Sequence, residues 1–165
     1  MANPVVRPAT GFDRDRLRAA IVELQEHERR LHDTRPPGEA MADAYLAWML
    51  ERAATAGGAI LVAEVDGAFA GFAAGWVEES ASLAETPDSN RFGFASDLCV
   101  LPAFRGRGVA GLLLAALEAH LARAGVARVR LYVLATNAAA RAAYERAGYR
   151  PYEVVYEKTV NPRPC

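Results

Sequence analysis

Val5-Val6 ahead of Arg7-Pro8 predicts a short first strand, and from Asp13 the apolar side chains Leu17, Ile21, Leu24 and Leu31 recur at helical spacing. That period predicts a first helix ending near Leu31. The stretch HDTRPPGEA interrupts it with Pro36, Pro37 and Gly38, after which Met41, Tyr45, Trp48, Met49 and Arg52 line one face of a second helix closed by Gly57-Gly58. The period then falls to two. Residues 60–65 and 68–77 read as strands joined by Asp66-Gly67, a dipeptide suited to a two-residue hairpin turn, and the run RFGFASDLCVL beyond the polar loop SASLAETPDSN predicts a third strand.

The pattern changes after Pro102. A glycine-rich turn over 104–111 opens a helix carrying Leu113, Leu114, Leu117 and Leu121 and stopped by Gly125. Residues 128–134 predict a strand, 137–147 an alanine-rich helix ended by Gly148, and 152–159 a final strand. A hairpin meander followed by a strand–helix–strand crossover predicts an α/β fold: one domain over 1–165, with a mixed, mostly antiparallel sheet flanked by helices.

The 165 residues are 52% hydrophobic and 24% charged, too apolar for a disordered chain, and no apolar run approaches the roughly 18 residues of a membrane span. The formal net charge of −1 argues against a nucleic-acid binder and conceals a division. Up to Asp97 there are nine basic and sixteen acidic residues, net −7; from Leu98 onward, ten and four, net +6. Two cysteines, Cys99 and Cys165, make no disulfide framework, and the start MANPVVRPATGFDRDR has no secretory pattern, so a cytoplasmic location is expected. His27, His32 and His120 lack companions at ligand spacing, and no metal is expected.

Arg105, Gly106, Arg107, Gly108, Val109, Ala110 and Gly111 sit at a strand-to-helix junction, where glycine backbone amides and the positive end of a helix suit phosphate groups. Gly106, Gly108 and Gly111 also spell GxGxxG, the mark of a nicotinamide dinucleotide site. That reading wants an acid about 20 residues on, at the end of the next strand, and 128–136 contains none.

Arg105-Gly106-Arg107-Gly108-Val109-Ala110 resembles the Q/R-x-x-G-x-G/A loop of the GNAT superfamily of acyl-CoA-dependent N-acyltransferases. Leu98-Cys99-Val100-Leu101-Pro102 looks like its central strand. Asn137, Ala140, Tyr144, Gly148 and Tyr149 resemble its second signature, N-x-x-A-x-x-x-Y-x-x-x-G-F/Y, with Tyr149 replacing the commoner Phe. The likeness covers a coenzyme-binding core of about 91–152.

The resemblance implies acetyl-CoA as co-substrate and an N-acetyltransferase acting on a primary amine of a small molecule or peptide; homodimers are frequent in the family, and the charge balance and lack of an apolar span lead to the expectation of neither nucleic acid nor membrane as partner. It places the pyrophosphate on the turn at 105–111, the pantetheine arm on Leu98, Cys99 and Val100, a coenzyme hydrogen bond on Asn137, and a proton donor for the departing thiolate on Tyr144. Asn137 and Tyr144 lie within roughly 20° on one helix stripe, so one extended arm reaches both. For the general base, alternation sets Asp97 with Cys99 on the face opposite Leu98 and Val100; Glu78, Glu79 and water are the alternatives. A non-catalytic acyl-CoA sensor on the same fold would keep the turn without needing the acid. The helices and loop that would shape the acceptor cleft hold Glu26, Glu28, Asp33, Glu39, Asp43, Glu78, Glu79, Glu85 and Asp88, which would favour a cationic acceptor or form a solvated face.

Overall fold

A computed structural model of the chain describes residues 4–160; Cys165 and the first three residues lie outside them. The strands β1 (Val5–Pro8), β2 (Ala59–Val65), β3 (Ala68–Glu79), β4 (Arg91–Val100) and β5 (Val129–Arg130) lie side by side in chain order. The first four pair antiparallel and β5 runs parallel to β4, the mixed sheet that the crossover predicts. Asp66 and Gly67 turn β2 into β3 with φ of 52° and 76°, the left-handed pair that a tight hairpin of this type needs.

The helices α1 (Arg14–Arg29) and α2 (Gly38–Thr55) cover one face of the sheet, where Leu17, Ile21, Leu46 and Met49 pack on Val62, Phe72 and Trp76. A single turn, α3 (Pro87–Asn90), precedes β4, and α4 (Val109–Arg123) covers the opposite face through Leu113, Leu117 and Leu121. The last helix, α5 (Ala138–Arg146), is tied to α4 by Tyr149, whose hydroxyl donates to Glu118 at 2.7 Å.

Two predicted elements differ. The strand expected over 128–134 shrinks to Val129–Arg130, and the final strand expected over 152–159 does not form. Strand residues are stable as such only where a neighbouring edge takes their backbone groups. The terminal segment is held instead by side chains: the Tyr152 hydroxyl donates to Glu85 at 2.8 Å, and Glu157 lies 3.6 Å from His32. Val155 and Tyr156 are left 87% and 93% exposed.

Candidate active site

The site begins where the sheet opens. β4 meets β5 only at Gly93 opposite Val129 and Phe94 opposite Arg130, so from Ala95 to Val100 the ladder joins β4 to β3 alone. Asp97 pairs with Ala74 and Ala95 with Gly75, leaving Ser96 as a bulge that bends the strand where it parts from β5. The Leu101 amide donates to Ala70 of β3 at 2.9 Å, and the alternation of an antiparallel ladder turns the backbone of Cys99 the same way. The backbone groups of Leu98 and Val100 therefore face the opening. Of the three strand residues that the resemblance singles out, these two offer amides to an extended ligand.

At the end of β4, Gly106 and Gly108 take φ of 75° and 78°, and Gly108 starts α4 with no side chain capping its amides. The first hydrogen bond of the helix runs from the Leu112 amide to the Gly108 carbonyl, so the amides of Val109, Ala110 and Gly111 project from the helix end. A Cβ placed on Gly106, Gly108 or Gly111 would meet nothing within 4 Å. Open space, left-handed backbone and uncapped amides together fit a pyrophosphate. Arg105 braces the turn, donating from Nε to the Val100 carbonyl at 3.0 Å and lying 3.5 Å from Glu23, while Arg107 rests over the Phe104 ring.

Asn137 caps α5, its side-chain oxygen accepting from the Ala140 amide at 3.2 Å, which leaves the amide nitrogen for another partner. Tyr144 packs edge-on to Tyr149. Burial first, then the charges of Glu28 and Asp97, push its phenol up to about 12. The phenol stays protonated throughout the neutral range.

Asp97 is 7% exposed and accepts from the Tyr45 hydroxyl at both oxygens, 3.0 and 3.1 Å. Burial pushes its carboxyl up to about 6, against the opposing pull of the Ser96 and Tyr45 hydroxyls. Cys99 lies on the same face with its thiol 3.6 Å from the Ala20 carbonyl, and burial raises it to about 12. A thiol in that state is no nucleophile at neutral pH.

The acidic segments look different once folded. Arg18 holds both Glu39 and Asp43 at 2.9 Å; Arg35 holds Glu28 at 2.8 Å and Arg52 holds Glu78 at 2.6 Å. Glu26, Glu79, Glu85 and Asp88 lie against Arg29, Arg91, Arg130 and Arg128, and Asp33 lies beside His32. Glu78 also accepts from the Trp76 indole at 2.6 Å. Sequence spacing does not reveal Tyr45 as a partner of Asp97, 52 positions away. A groove of about 640 Å³ at the β1 edge, bordered by Arg14, His120 and Arg123, shares no residue with this site.

A five-stranded mixed sheet parted beside its fourth strand, with a phosphate-ready turn at that strand's end, defines an acyl-CoA N-acyltransferase fold. The chain belongs to the acetyltransferase (GNAT) family, whose model matches residues 19–149, and acetyl-CoA is its co-substrate. Comparison with curated protein sequences finds no match. Among solved structures, the aminoglycoside N-acetyltransferase AAC(6')-Iy in complex with CoA is 21% identical over 98% of this chain and 97% of its own, with a TM-score of 0.71. A GCN5-related N-acetyltransferase from Ralstonia eutropha JMP134 is 24% identical over 96% and 100%, TM-score 0.74. The glucosamine-6-phosphate N-acetyltransferase of Arabidopsis thaliana is 17% identical over 96% and 99%, TM-score 0.64. Among the described residues, no helix is long and apolar enough to cross a membrane.

Proposed function

We propose that the protein transfers the acetyl group of acetyl-CoA directly to a primary amine, in the opening between β4 and β5. The observation that carries this reading is the convergence there of outward-facing strand amides, the uncapped turn, a neutral phenol and a buried carboxylate. The turn at 105–111 takes the pyrophosphate, and the Leu98 and Val100 backbone pairs with the pantetheine arm as an added strand would.

The amine nitrogen attacks the thioester carbon, forming the C–N bond as the C–S bond breaks, and the nitrogen's proton leaves toward Asp97. The outward-facing strand amides of Leu98 and Val100 stabilise the developing oxyanion. Of the carboxylates considered as base, Glu78 and Glu79 are held by arginines, whereas Asp97 has only hydroxyl partners and an ionisation matched to neutral pH.

Tyr144 faces the leaving thiolate. A thiol ionises near 8.5, so full proton transfer from this phenol is uphill, and its contribution is chiefly a hydrogen bond to sulfur. Such a charge-assisted bond is worth about 1.5–3 kcal/mol, which sets the expectation for Tyr144→Phe at roughly a 10- to 100-fold fall in kcat. Acetyl-CoA affinity, measured by calorimetry, should stay within about twofold; an unchanged kcat would remove Tyr144 from the reaction. The two acceptors named above, an aminoglycoside and a sugar phosphate, differ in charge, so this fold does not by itself dictate the amine.

A further inference from the structure

We infer that the acceptor is a monoamine with a flat aromatic body, an arylalkylamine, and not a polyamine or amino sugar. This rests on the acetyl-transfer reading above and concerns the amine side of the same opening. Two observations carry it.

The first is charge. A polycation is held by several carboxylates without partners of their own, but nine of the ten acids of the acceptor segments already face an arginine or histidine, and the tenth, Glu51, is exposed on α2. A second or third ammonium there would compete with these existing pairs. At the floor of the site a single carboxylate, Asp97, has no cation against it among the described residues, and it meets one ammonium group.

The second is shape. From the Tyr45 ring on Asp97, aromatic rings follow one another through Trp48, Trp76, Phe94 and Tyr132, with centroids 5.2, 5.2, 5.9 and 5.3 Å apart. The row starts on α2, crosses β3 and β4 at the last residue that pairs with β5, and ends just past β5. It therefore borders the opening at the end where β4 and β5 part. Trp76 is fully buried, while Trp48 and Tyr132 remain 42% and 76% exposed. Large aromatic faces left open beside one buried carboxylate suit a ligand with one charge and one ring, since stacking adds about 0.5–1.5 kcal/mol beyond the area it buries. A polyhydroxylated ring would leave its hydroxyls unpaired against that wall.

The test compares 2-phenylethylamine, n-propylamine, spermidine and kanamycin as acceptors, at saturating acetyl-CoA. The kcat/KM for 2-phenylethylamine should exceed each of the others by at least about tenfold, a difference of about 1.4 kcal/mol. In Trp48→Leu, the ratio of 2-phenylethylamine to n-propylamine should fall by about tenfold. Equal or greater activity with spermidine or kanamycin, or an unaltered ratio in the variant, overturns it.

Binding gives a readout independent of turnover, because Trp48 and Trp76 are the two tryptophans of the chain. With CoA present, 2-phenylethylamine should change their fluorescence saturably and spermidine should not; no saturable change overturns the inference. If 2-phenylethylamine binds saturably but no amine is acetylated, the transfer reading fails while the preference of the site for an aromatic monoamine is upheld by binding. If amines are acetylated without aromatic preference, the reverse holds.

Discussion

Replacing Asp97 with Asn is expected to lower kcat/KM about 100-fold and to abolish the acidic limb of its pH profile, at the low end of what a positioned base contributes. Burial holds this carboxyl near 6, above the ordinary aspartate range, so the base form is lost as pH falls through that value. The wild-type profile should therefore rise through about pH 6. Asn keeps the shape and still accepts from Tyr45, so a loss of rate would report the missing base and not a collapsed site.

The same substitution should act oppositely on stability. A folded-state value above the unfolded one means that ionised Asp97 costs the native state free energy, absent below about pH 4 and fully present above about pH 6. A displacement of this size corresponds to about 3 kcal/mol. Asp97→Asn should therefore melt at a higher temperature than wild type at pH 8, with the gap closing near pH 4, as expected of a residue kept for function. A variant that retains the acidic limb and melts no higher would count against both roles.

Replacing Asp13 with Asn is expected to have the largest effect on stability. Asp13 is 1% exposed, and its two oxygens take a forked pair of bonds from Arg7 at 2.7 and 2.9 Å together with the Thr10 amide at 2.8 Å. Arg7 also reaches Glu64 of β2 at 2.6 Å, so this one carboxylate joins the edge strand to the start of α1. Asn keeps one acceptor oxygen but loses the charge and the forked pair, leaving Arg7 to Glu64 alone, at about 1.5–3 kcal/mol. For a chain of this length that lowers the melting temperature by roughly 5–10 °C. Arg7 holds the Asp13 carboxyl below the usual carboxylate range, so this stabilisation is present above about pH 4 and is lost as pH falls further. Melting curves at pH 7 and pH 3 check it: the deficit of Asp13→Asn should shrink at the lower pH, and an equal melting point at pH 7 would contradict it.

Local patterns carry most of the architecture. The Leu17 and Ile21 stripe, the Asp66-Gly67 turn and the leucines of α4 each announce their element because helix period, turn chemistry and stop glycines are short-range properties. The terminal run with Val154, Val155 and Tyr156 has equally strong strand character, yet no edge within the described residues takes it, and an edge is not a property of the run itself. The positions of the glycine turn, Asn137 and Tyr144 are legible for the same local reason.

What the acceptor side becomes was not legible, because it depends on pairs distant in the chain. Arg18 meets Asp43, Arg52 meets Glu78 and Arg128 meets Asp88, so most acids of these segments are already paired. The opposite charges of the two halves are partly consumed in joining them, through Arg105 with Glu23, Arg128 with Asp88 and Arg130 with Glu85. Asp97 is legible in the sequence as the single acid of the strand run RFGFASDLCVL, on the same face as Cys99. Its partner Tyr45 reads as one more apolar position on a helix face until the fold brings the two together.

Direct transfer to an amine is tested most plainly by incubating the full chain with acetyl-CoA and a panel of primary amines, while following free CoA thiol and N-acetylated amine in the same samples. Direct transfer gives amine-dependent thiol release matched one for one by N-acetyl product. Acetyl-CoA that binds but releases no thiol above the amine-free rate with any amine would contradict it and point to a sensor on this fold.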